Sequence, residues 1–214
     1  MGSRLENAIV PNACVFCGSR RPIDQVPICD GCHADLPWIG RRRAACQLDP
    51  PLLTMVTTPL LYTFPIDAAI KAMKFKRRLH YLPAFTAILA ASLSGVPEDV
   101  DAVLAVPLHW HRQLRRGFNQ AAELCKPIAK TLGVPILRGV LRVRPTPYQS
   151  GLDARARQRN LRSAFAVRGD ITARHVLIVD DVITTGETCR QIARVLIDAG
   201  VEEVSVLAIA RAAG

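Results

Sequence analysis

The segment VLIVDDVITTGET, Val176 to Thr188, restricts the possible folds of this chain more than any other stretch. Its first four residues are apolar and mostly β-branched, the pattern of a short buried strand. Two adjacent carboxylates, Asp180 and Asp181, follow, and then a turn through Thr184, Thr185 and Gly186 opens a helix. In an open parallel sheet, ligands bind beyond the carboxyl ends of the strands, which is where this pair should stand. A helix N-terminus presents free amides and a positive dipole end to an anion. Gly186 allows close backbone approach, the threonine hydroxyls add donors, and two carboxylates suit a vicinal diol. The segment therefore reads as a pocket for a ribose 5-phosphate.

Other strand–turn–helix devices fit less well. A Walker A loop needs G-x4-G-K-[ST], and no Lys follows Gly186. A dinucleotide fold needs G-x-G-x-x-G after a strand, which this sequence lacks. A receiver-type pocket sets its acidic pair near the start of its domain, whereas this pair comes late. An ordinary turn in which Asp and Thr serve only as caps is the remaining alternative.

Around this segment the chain alternates strands and helices. A Pro-punctuated stretch from residue 51 reads as a linker into a strand at 60–64. Ile66, Ala69, Ile70 and Met73 recur with a 3.6-residue period after Pro65, and a second helix is expected over 83–94. Strands are expected at 101–107, 141–143, 165–167, 175–179 and 204–210. Helices should cover 117–133, with Pro127 implying a kink or break, and 187–199, closed by Gly200. Continuous apolar strands separated by helices argue for an α/β fold, a mostly parallel sheet with helices on both faces.

Four of the seven cysteines lie in one window as Cys14, Cys17, Cys29 and Cys32, two C-x2-C pairs separated by eleven residues. Each pair can aim two thiolates at one point, and the spacing suits a single structural Zn2+ that stabilises a piece too small for its own core. Disulfides are disfavoured in a cytosolic chain, and paired spacing suits an iron–sulfur cluster less well. His33 is left out, because four thiolates fill a tetrahedron. Cys46, Cys125 and Cys189 read as small buried hydrophobes or incidental thiols. The expected organisation is a zinc-binding module and linker over 1–50 and one larger domain over 51–214.

Basic residues exceed acidic ones by ten, with clusters at Arg41–Arg43, Lys74–Arg78, Arg112–Arg116 and Arg155–Arg162. Such a field suits a polyanion, whether nucleic acid or a pyrophosphorylated metabolite. No apolar run reaches 18 residues, and the first residues lack a signal-peptide pattern, so a cytoplasmic protein without a membrane span is expected.

VLIVDDVITTGET resembles the 13-residue phosphoribosyl pyrophosphate (PRPP) motif of type I phosphoribosyltransferases. With VPLHWHRQLRRGFNQA (106–121), TPYQSGLDARARQRNLRSAF (146–165) and the cysteine window, the chain resembles the ComF/GntX family of phosphoribosyltransferase-like proteins from Cys14 to about Arg211. The resemblance implies that Asp180 and Asp181 are the catalytic pair on the ribose hydroxyls, and that Thr184, Thr185, Gly186, Glu187 and Thr188 wrap the 5-phosphate. It places Val106, Pro107, Leu108 and His109 in the pyrophosphate loop, with Arg116 also binding PRPP, and Gln149, Ser150, Arg155 and Arg159 on a mobile closing loop. Mg2+ would accompany PRPP. A role in natural competence is implied as well, with single-stranded DNA and a helicase-like competence protein as partners. Relatives often carry a second cysteine pair set near 46–59; only Cys46 stands there, so one zinc is expected.

Overall fold

A computed structural model describes residues 13–20, 26–39, 52–109, 114, 117–143 and 164–213. The elements in chain order are α1 (Asp30–Ala34), β1 (Met55–Thr57), β2 (Leu60–Leu61), α2 (Ile66–Lys76), α3 (Leu82–Ala91), β3 (Ala102–Ala105), α4 (Gln120–Leu132), β4 (Val140–Arg142), β5 (Phe165–Val167), β6 (His175–Ile183), α5 (Glu187–Asp198) and β7 (Glu203–Arg211). The main sheet runs β1–β7–β6–β3, with β2 also on β7, and all its pairings are parallel. Strands β4 and β5 form a separate antiparallel ribbon.

Side chains alternate across this sheet with period two. Leu177, Val179, Leu207 and Ile209 face one way and pack with Ile66, Ile70 and Met73 of α2, Phe85 and Leu89 of α3, and Leu124 and Ile128 of α4. Val176, Ile178, Val204 and Val206 face the other way, against Cys189, Ile192 and Leu196 of α5. Both faces are thus covered by helices, as the unbroken apolar strands require.

Four local expectations are corrected. The stretch read as a linker contains a strand: β1 and β2 lie in one register on β7, Thr57 opposite Leu207 and Leu60 opposite Ala210. The edge strand is interrupted at Pro59, which has no N–H for the ladder and whose carbonyl accepts instead from Ile39 N at 2.7 Å. The strand expected at 60–64 keeps only its first two residues. Helix α4 runs through Pro127 without a break; its buried stripe of Leu124, Cys125, Ile128 and Ala129 holds it on the sheet while the one bond from position 127 to Glu123 is forgone. Strand β6 continues to Ile183, so the acidic pair lies within its last residues, Asp180 opposite Ala208 of β7.

The cysteine-bearing segment is joined to the core. Ile28 and Leu36 are buried in the same cluster as α2 and α3. Trp38 bridges Leu60, and Leu61 N donates to Pro37 O at 2.9 Å. No helix among the described residues is long and apolar enough to cross a membrane.

Candidate functional site

The carboxyl ends of β3 and β6 lie side by side, because Ala105 pairs with Val179 and Val106 N donates to Val179 O at 3.0 Å. Val106, Pro107, Leu108 and His109 therefore leave the sheet directly beside Asp180. Val106 and His109 are buried. Asn119 fixes this loop to the helix behind it: its Oδ1 accepts from Ala121 N at 3.1 Å as the N-cap of α4, and its Nδ2 donates to Val106 O at 3.0 Å. A cleft of about 630 Å³ opens here, lined by Pro107, Leu108, Asn119, Ile136, Arg142 and Arg168 among others.

Asp180 turns one oxygen back onto Asp181 N at 2.8 Å. Burial, and next the neighbouring Asp181 carboxylate, push its pKa up to about 7, with Lys74 and Arg142 acting in the opposite direction. Asp181 is 5% exposed. Its Oδ1 accepts from Lys74 Nζ at 2.8 Å. Burial works against the Lys74 charge, but Asp181 and, less strongly, Asp180 outweigh it and hold the ammonium above its usual range.

After the strand, Thr184 and Thr185 are exposed and Gly186 adopts φ 73°, a left-handed conformation that favours glycine. Gly186 is the N-cap of α5 and makes no side-chain cap bond. Thr185 Oγ1 accepts from Glu187 N at 3.4 Å. The Glu187 side chain turns away from the turn: it is buried and bonds Arg190 and, at 2.7 Å, Gln191 Nε2. Only the Glu187 backbone remains for a phosphate. Thr188 is half-buried in the first turn.

The four N-terminal cysteines converge, their sulfurs all within 4.8 Å of one another. Cys17 Sγ and Cys29 Sγ are 3.6 Å apart, near the spacing of about 3.8 Å that bonds of about 2.3 Å give in a tetrahedral thiolate site. Cys29 N donates to Cys14 Sγ and Cys32 N to Cys29 Sγ, both at 3.4 Å, the amide support that lets sulfur carry negative charge. Bonds from Ser19 and then from Cys29 and Cys32 draw the Cys17 thiol down to about 6. The group can hold one Zn2+. His33 instead packs its ring on Trp38, centroids 4.8 Å apart. Cys125 and Cys189 are buried, as expected, and burial pushes the Cys125 thiol up to about 12.

Arg116, Gln149, Ser150, Arg155, Arg159 and Cys46 lie outside the described residues. Lys74 and Arg142 also act on this site, and no motif marks either of them. A signal for Lys74 existed: it continues the i, i+4 series of Ile66 and Ile70, so a cation stands at the border of the buried stripe of α2. Its partner Asp181 is far off in sequence and could not be read.

A covered parallel sheet with an acidic pair ending one strand, a glycine turn opening the next helix and a neighbouring loop at the same sheet end defines a phosphoribosyltransferase-like protein of type I. Residues 115–213 match the family model described as the phosphoribosyl transferase domain. The DNA utilization protein YhgH of Salmonella typhi is 35% identical over 210 residues, covering 92% of this chain and 89% of that protein. Competence protein F of Haemophilus influenzae is 34% identical over 208 residues, covering 91% and 89%. The chain belongs to the ComF/GntX family. Among solved structures, the glutamine PRPP amidotransferase of B. subtilis complexed with ADP and GMP aligns over 57% of this chain and 24% of that chain at 25% identity, with a TM-score of 0.38.

Proposed function

We propose that the chain binds PRPP together with Mg2+ and transfers or holds its phosphoribosyl group, in a pathway that handles DNA during natural competence. One observation carries this reading: Asp180 and Asp181 lie among the last residues of β6, beside the Val106–His109 loop and a few residues before the left-handed Gly186 turn that opens α5. Carboxylate oxygens there suit two ribose hydroxyls, the amides of the 184–188 turn suit the 5-phosphate, and the adjacent loop suits pyrophosphate. The side chains of Asp180, Asp181, Thr184 and Thr185 offer only oxygen ligands, a set that would suit Mg2+, and such an ion would supply positive charge against the phosphate oxygens of the ligand. In transfer, the bond from C1 of the ribose to pyrophosphate breaks with its electron pair on the departing oxygen, and an acceptor atom bonds to C1 from the opposite side. The acidic pair holds the sugar beside the positive charge that develops, and Arg142, which lines the cleft with Pro107 and Leu108, adds positive field near the leaving group. The names of the two relatives support the competence and DNA-handling context.

Calorimetry with PRPP and Mg2+ tests the reading. Wild type should give binding heat that Asp180→Asn/Asp181→Asn loses; identical heats would remove the ribose assignment.

A second reading, a non-catalytic competence accessory that binds single-stranded DNA and uses the PRPP site for regulation, is favoured by one observation. Phe64, two residues before α2, and Phe75, in its last turn, are 81% and 66% exposed, and the same last turn and C-cap carry Lys76 and Arg77. Exposed rings among cations can stack bases and track phosphates. Single-stranded DNA binding with steep salt dependence that survives the Asp180/Asp181 substitutions would support it, and no binding at moderate salt would remove it.

A further inference from the structure

The Lys74–Asp181 pair joins two parts of the chain with different jobs. Asp181 belongs to the strand end assigned above to the ribose, whereas Lys74 comes from α2, on the segment that precedes the sheet edge and packs over one face. The charged and titratable groups nearest the acidic pair are Lys74 from α2, Tyr62 just after β2 and Arg142 from β4. Lys74 makes an ion pair with the acids, its ammonium 2.8 Å from Asp181 Oδ1. That bond occupies one oxygen of Asp181 and fixes the plane of the carboxylate. The other oxygen stays available as an acceptor for a sugar hydroxyl.

We propose that Lys74 is a positioning residue of the ribose site, holding the Asp181 carboxylate oriented so that its second oxygen accepts from a ribose hydroxyl. The inference rests on the ribose reading of the acidic pair. It runs opposite to an autoinhibitory role, in which the ammonium would block the site and its removal would tighten binding. A charge-assisted bond at a partly buried site typically carries a tenfold to hundredfold effect, so Lys74→Met should weaken PRPP·Mg2+ binding at neutral pH by about tenfold or more. Lys74→Arg keeps a cation within reach and should restore most of the affinity.

The deciding experiment is calorimetry with PRPP and Mg2+ on the full-length chain. Wild type should bind, Lys74→Met should bind about tenfold or more weakly, and Lys74→Arg should recover most of the affinity, with thermal melts confirming that each variant is folded. A folded Lys74→Arg that binds as weakly as Lys74→Met overturns the proposal, because a cation within reach of Asp181 would then not be what positions it. Equal or tighter binding by a folded Lys74→Met overturns it in favour of a blocking role. Absence of heat from wild type overturns it together with the ribose reading, whereas heat from wild type that Lys74→Met leaves unchanged defeats the Lys74 assignment alone.

Discussion

We propose that Cys14, Cys17, Cys29 and Cys32 hold one Zn2+, and its removal should destabilise the large domain as well as the cysteine segment. The segment from Cys14 to Trp38 is too small for a core of its own, so loss of its metal should unfold it. Unfolding would expose Ile28 and Leu36, which are 3% and 4% exposed in the shared core. Burial of two such side chains is worth about 3–6 kcal/mol. Two backbone bonds across the same seam, Ile39 N to Pro59 O and Leu61 N to Pro37 O, would also be lost, at about 1 kcal/mol each. With the metal in place, the ordering of the segment is largely offset by metal binding, so a loss of about 5 kcal/mol falls on the domain. For a chain of this size that corresponds to a fall in melting temperature of about 10–20 °C. The assay is a thermal melt followed by circular dichroism, before and after a strong chelator, with zinc content measured on the same samples. Cys29→Ser should reproduce the chelated melt. A melting temperature unchanged after complete zinc loss would refute the reasoning, because the segment would then be an appendage and not part of the core.

Two further substitutions probe the site's frame and its charge. Gly139 sits at φ +98°, and a Cβ there would lie 2.5 Å from Arg168 O, so Gly139→Ala should force the β4–β5 ribbon apart and cost about 2–3 kcal/mol in urea denaturation; a loss under about 0.5 kcal/mol would contradict the close approach. The folded-state pKa of Asp180, raised to about 7 by burial and by Asp181, means that the folded state binds more protons than the unfolded one between about pH 4 and pH 7. Stability should therefore fall as pH rises through that window, and Asp180→Asn should flatten the slope and be more stable than wild type at pH 8.5 in the same denaturation assay; an unchanged slope would contradict the shift.

The sequence made the strand–helix alternation legible because β3, β6 and β7 are buried on both faces and so read as unbroken apolar runs. The acidic pair and its turn were legible for a related reason: Asp180, Thr184, Thr185 and Gly186 lie within one local segment, where spacing alone sets their neighbourhood. The cysteine cluster was legible because two knuckles need only one reversal of the chain to meet. Pairings over long separations were not legible. β1 was hidden because an edge strand tolerates Pro59, and the proline punctuation looks like a linker until Thr57 and Leu60 are seen in one register on β7. Lys74 was absorbed into a basic run because its partner lies on another element. Glu187 sits in the motif, yet its side chain is drawn inward by Arg190 and Gln191 on the following turn, a choice that motif spacing does not encode.

The central claim is that the strand end at Asp180–Asp181 and the turn at Thr184–Thr188 together grip a ribose 5-phosphate. A crystal structure of the full chain soaked with PRPP and Mg2+ measures this most directly. The expected result is a 5-phosphate on the backbone amides of the 184–188 turn, ribose hydroxyls on Asp180 and Asp181, and pyrophosphate against the Val106–His109 loop. Clear density for PRPP elsewhere on the molecule, or a strand end left empty at saturating ligand, would contradict it.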